Sequence, residues 1–112
     1  MKKFIALYMI PIAAIDEMMK NTTPEQRKAS MDGWMQWAKT HEKDFVEMGT
    51  PTGKNKRVMA GGVTDVRNEI TGYSIVQAES HEEATKIFAD NPHLQMPGAY
   101  VEVMECMEMP KT

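Results

Sequence analysis

The chain has 112 residues, 42% of them hydrophobic and 26% charged, with a net charge of −3. That length suits one domain, residues 1–112, with a core large enough to need neither disulfide nor metal. The acidic balance, with Lys54, Lys56 and Arg57 as its one dense basic patch, argues against nucleic acid as a partner. Cys106 is alone, so no internal disulfide or cysteine-based zinc cluster can form. The three histidines lack HxH or HxxxH spacing, and no metal or other cofactor is expected. The composition fits a reducing, cytoplasmic setting.

Lys2-Lys3 followed by the apolar run Phe4 to Ile15 imitates a secretory leader. Pro11 interrupts that run, and it is too short to cross a membrane. Lys3 to Ile10 therefore reads as a first β-strand, covered on both faces, and no membrane partner is expected. Residues 11–22 are a connection, with a helical turn near Asp16 to Lys20.

Thr23-Pro24-Glu25-Gln26 starts a helix: Thr23 caps it, Pro24 suits its first position and Gln26 completes a capping box. Met31, Trp34, Met35, Ala38 and Phe45 recur at helical spacing and predict one buried stripe. Gly49 and Pro51 close the segment, so the helix is expected over residues 24–48, with a break near Thr40.

Residues 49–56 are turn-rich, and Arg57 to Ala60 is a short strand candidate before a bulge or turn at Gly61-Gly62. Thr71 to Ala78 reads as a strand. Ser80-His81-Glu82-Glu83 opens a short helix with Ala84, Ile87 and Phe88 inside, and Asn91-Pro92 ends it. Ala99 to Met109 alternates Tyr100, Glu102, Met104 and Cys106 with Val101, Val103, Glu105 and Met107, the period of a strand.

The order β-α-β-β-α-β predicts an α+β fold of ferredoxin-like type: a four-stranded antiparallel sheet with two helices on one face. The other face keeps apolar residues and needs a cover. A symmetric homodimer, closing two sheets into a dimeric α+β barrel, supplies it. The twelve methionines are expected chiefly to fill the core.

Phe88-Ala89-Asp90-Asn91-Pro92-His93-Leu94, then Pro97-Gly98 and Tyr100-Val101-Glu102-Val103-Met104-Glu105, resemble the YCII-related (DGPF-type) family. Gly49 to Gly53, Gly61-Gly62 and Thr71-Gly72-Tyr73 fall where that family has its glycine-rich middle strands. The resemblance spans nearly the whole chain and implies a dimeric α+β barrel. It also implies a histidine with an acidic partner as a site, although Asn91 stands where an Asp is often found.

Among residues able to do chemistry, His93 ranks first, in a loop shaped by proline and glycine. Glu102 shares a face with Tyr100 and Met104, and Tyr8 on the first strand is placed to look toward it. His93, Glu102 and Tyr8 are thus the expected catalytic cluster, in a cavity suited to proton transfer on a small hydrophobic molecule. Trp37, His41 and Asp44 read as a surface pair beside a packed indole. His81 reads as exposed, and Asp65 and Glu69 as solvated charges. Three functions stay open: a cofactor-free acid–base enzyme, a non-catalytic module that binds a small apolar ligand or regulates a partner, and a structural dimer.

Overall fold

The computed structural model describes residues 1–110. Strand β1 (Lys2–Met9) lies inside a four-stranded sheet, paired antiparallel with β5 (Ile70–Ala78) on one side and β6 (Tyr100–Glu105) on the other. Strand β2 (Phe45–Glu47) pairs with the far side of β5, giving the order β2-β5-β1-β6. The central strand is the first in sequence, and the two edges are the second and the last of the sheet. This is the ferredoxin-like arrangement expected of a split β-α-β-β-α-β chain.

The register sorts residues onto two faces. Phe4, Ala6 and Tyr8 of β1 alternate inward and meet Val76, Ser74 and Gly72 of β5 on the back face. Helices α2 (Pro24–Thr40) and α3 (His81–Ile87) cover that face through Trp37, Ala84 and Ile87, with Phe88 just beyond α3. Aromatic rings interlock there. Trp37 meets Trp34, Phe45 and Phe88 with centroids 5.4, 5.4 and 5.6 Å away. Such pairs each contribute about 0.5–1.5 kcal/mol beyond area burial.

Helix α2 begins as its sequence dictates. Thr23 accepts from the Gln26 backbone, Gln26 reaches back to the Thr23 N–H, and Pro24 occupies the first turn. The helix ends at Thr40, where the break was expected, but does not resume. Glu42–Asp44 form a 3₁₀ turn, and Phe45 enters β2. Phe45 follows Trp37 and His41 at helical spacing, which mimics a continuing stripe; Phe45 and Val46 have strand-favouring side chains, and Phe45 and Glu47 pair with β5 instead. The stripe's phase also shifts. Trp34, Trp37 and Ala38 turn inward, while Met31 and Met35 are 62% and 65% exposed.

The strand expected at Arg57 to Ala60 exists, but outside the main sheet. Strands β3 (Lys56–Met59) and β4 (Gly62–Asp65) form a separate hairpin around Ala60-Gly61. The connection after β1 is a full helix, α1 (Ile12–Asn21), rather than a single turn. It contributes no fully buried residue and is tied to the chain beyond the hairpin by Arg67, which donates to both carboxylate oxygens of Asp16 at 2.9 and 3.4 Å.

The methionines do not fill the core. None is buried, and nine of the twelve are among the exposed large hydrophobic residues. Phenylalanine, tyrosine, tryptophan, isoleucine, valine and alanine make the interior, and the other three methionines, Met9, Met18 and Met96, are only half-buried.

Candidate functional site

Tyr8 and His93 do come together, but on the helix-covered back of the sheet rather than in the expected cavity on its open face. Their ring centroids are 5.6 Å apart in an edge-on arrangement, with Trp34 4.9 Å from Tyr8 on another side. Both are buried, at 5% and 3% exposure. The Tyr8 hydroxyl donates to Ser74 Oγ at 2.7 Å, and Ser74 donates onward to the Met48 carbonyl at 2.6 Å. Burial pushes the Tyr8 phenol up to about 12, against the lowering effect of its bond to Ser74.

His93 sits in a 3₁₀ turn (Pro92–Gln95) begun by Asn91, whose side-chain oxygen accepts from the His93 backbone N–H at 2.8 Å. Its Nε2–H donates to the Met9 carbonyl at the end of β1 over 2.7 Å. Burial lowers the imidazole pKa from 6.5, opposed by the backbone groups of Met9 and Tyr100, so the ring is held neutral. Asn91 is a turn-former here. Its Nδ2 is buried and has no partner among the described residues.

Glu102 does not join them. It lies opposite Leu7 in the ladder, whereas Tyr8 lies opposite Val101, so one residue of alternation puts the carboxylate on the other side of the sheet. The expected three-residue cluster is thus divided by the sheet: two members behind it, one in front.

The front face has its own polar groups, which the sequence did not single out. Tyr73, next to Leu7 across β1 and β5, donates its hydroxyl to Glu47 Oε1 at 2.9 Å. Tyr100, opposite Met9, donates to Glu69 Oε1 at 2.8 Å. Each carboxylate raises the pKa of its tyrosine, keeping both phenols protonated. Around them stand Ile5, Leu7, Met9, Ile75 and Met104. Glu69 had read as a solvated loop charge. Its contact depends on β6 returning beside β1, which local sequence does not show.

A second polar cluster lies at the end of α2. His41 contacts Asp44 through Nδ1 at 3.5 Å and Asp90 through Nε2 at 3.2 Å, and the Trp37 indole N–H donates to the same Asp90 oxygen at 3.1 Å. The His41–Asp44 pair was expected, while Asp90 is brought in by α3. This clasp ties the helices together at the surface. His81 is exposed, as expected, and donates to the Val103 carbonyl on edge strand β6 at 2.7 Å. No group of three or more potential metal ligands occurs among the described residues, and none of their helices is long and apolar enough to cross a membrane.

The strand order and the front-face polar groups define this chain as a ferredoxin-like α+β domain with one bare sheet face. No protein-family profile matches it, and no curated protein does. Among solved structures it is similar to 5-chloro-2-hydroxyhydroquinone dehydrochlorinase (TftG) from Burkholderia phenoliruptrix AC1100, in complex with 2,5-dihydroxybenzoquinone. The TM-score is 0.49 at 16% identity, over 89% of this chain and 90% of that one.

Proposed function

We propose that the protein is a homodimer whose bare sheet faces enclose a chamber for a small, largely apolar molecule, with Glu102 as its proton-accepting group. The observation that carries this reading is the front face itself: an apolar floor with the carboxylate of Glu102, unpaired among the described residues, on edge strand β6. It lies two residues from Tyr100 and across Leu7 from Tyr73, each tyrosine bonded to a carboxylate of its own. Apolar side chains bind a flat or lactone-like skeleton, and the phenol oxygens of Tyr73 and Tyr100 accept hydrogen bonds from its hydroxyls. Glu102 takes a proton from carbon or oxygen of the bound molecule, in isomerase, lyase or hydrolase chemistry that needs no cofactor.

In this reading Tyr8 and His93 do not touch the ligand. They are positioning residues: His93 holds the Met9 carbonyl, and so the end of β1 whose Leu7 and Met9 floor the chamber. The YCII-type resemblance agrees with a barrel-forming dimer, and a cytoplasmic setting suits the lone free thiol. A non-catalytic role would use the same chamber without Glu102 chemistry.

A thermal-shift and turnover screen of wild type beside Glu102→Gln, against small aromatic acids, hydroxylated aromatics and lactones, tests the assignment. The expected result is a compound that stabilises both proteins and is consumed only by wild type. Stabilisation of both without turnover would leave a binding module. No stabilisation of either would remove the chamber.

A further inference from the structure

The β3–β4 hairpin stands apart from the rest of the molecule. It forms its own two-stranded sheet, and every residue of both strands is exposed. Val58 and Val63 face each other across it at 77% and 59% exposure, and Met59 is 62% exposed. An isolated two-stranded hairpin is marginal in water and needs a surface to lie on. Yet its base is firmly held. Thr52 N–H donates to the Thr71 carbonyl at 3.0 Å and Arg67 clamps Asp16, while Val66 N–H donates to the Asn55 carbonyl at 3.2 Å and closes the two legs on each other.

One chain therefore carries two uncovered apolar surfaces, the blade and the front face, that do not cover each other. A two-fold axis satisfies both at once: the two faces enclose the chamber, and one blade reaches over each of them. Charge agrees with this pairing. The blade and its base carry Lys54, Lys56 and Arg57 against Asp65, whereas the front face and its rim carry Glu47, Glu69 and Glu102 against Lys3. Lys56 and Asp65, in contact at 2.5 Å, set an ion pair beside the Val58–Val63 pair, and Lys54 and Arg57 are left to give the blade its net positive charge.

We infer that the β3–β4 hairpin is an exchanged arm, which lays its Val58–Val63 side on the front sheet face of a second copy of this chain and closes the chamber over Glu102. The inference rests on the dimer proposed above and adds to it that each chamber is incomplete without the partner's hairpin.

Sedimentation equilibrium of the full chain, wild type beside Val58→Glu/Val63→Glu, tests it. Both positions are exposed, so circular dichroism of the variant should match wild type. The dissociation constant of the dimer should rise at least tenfold. A dimer of unchanged affinity would overturn the arm and leave the chamber standing; a monomeric wild type would overturn both. As a second measurement, a photoreactive group is placed on Val63→Cys in a Cys106→Ser background, with mixed isotope-labelled and unlabelled chains. Cross-links should fall on Ile5, Leu7, Ile75 or Met104 of the other copy. Cross-links confined to other surfaces, or to the same chain, would overturn the arm.

Discussion

His93 spends its one titratable side chain on a backbone carbonyl, and this gives it a pH signature. Burial lowers its pKa from 6.5, so the fold prefers neutral imidazole. The unfolded chain takes up its proton near the ordinary value, and the folded chain only at lower pH. The stability this supplies is complete above about pH 6.5 and is lost as pH falls through the depressed folded value. Urea midpoints should therefore fall from about pH 7.5 to about pH 5 in wild type, and fall less in His93→Gln. His93→Ala strands the Met9 carbonyl and should cost about 1–3 kcal/mol in the same assay. Glu102 is the contrast: it is exposed and without a bonded partner among the described residues, so Glu102→Gln should leave stability within about 0.5 kcal/mol while changing chemistry. Gly49 shows a third kind of constraint. Its φ is +77°, and a Cβ there would lie 1.7 Å from the Tyr73 carbonyl oxygen, against the backbone of β5. Gly49→Ala should cost at least about 2 kcal/mol by denaturant unfolding. The sequence groups His93 and Tyr8 only through a shared cluster with Glu102; they meet because the turn before β6 closes on the end of β1. The separation of Glu102 from Tyr8 was not legible. It depends on which residue of β1 stands opposite which residue of β6, and a one-residue change in that register reverses the face.

The elements that read best from sequence are those with a local chemical cause. The α2 start has a capping box, and β5 and β6 alternate cleanly. Those that misread lack such a cause. Nothing between His41 and Phe45 stops a helix, so the turn into β2 is imposed by pairing with β5. With Phe45 counted into the helix, the next strand-like segment, Arg57 to Ala60, takes the second strand's place in the sequence reading, although it pairs only within its own hairpin. The phase of α2 is directly testable. Trp37→Ala removes the indole that packs on Phe88 and bonds Asp90, and should cost about 3–5 kcal/mol. Met31→Ala, on the exposed flank, should change stability by no more than about 0.5 kcal/mol. Thermal melts of the two variants decide between this phase and the wider stripe read from spacing.

At the scale of the whole molecule, the apolar surface is in unusual places. The radius of gyration is 15.8 Å, against about 13 Å for a compact domain of this length. The chain extends 50 by 45 Å but is only 19 Å thick. A flat shape with a projecting hairpin and a bare sheet leaves more apolar side chain outside than one chain needs, and the exposed methionines add to it. Methionine suits a contact surface because its side chain is flexible and polarisable. The need for a cover was legible from the bare face of a β-α-β-β-α-β sheet. The hairpin as a second uncovered element was not, because its isolation is a fact of tertiary placement.

The most direct measurement is sedimentation equilibrium of wild type beside Ile75→Lys, a change at the centre of the front face opposite Ile5. The expected result is a wild type at twice the 12.7 kDa of the chain and a variant at one chain mass, with matching circular dichroism. A wild type that sediments at 12.7 kDa, or a variant that stays dimeric, would contradict the use of this face as the inner wall of a dimer.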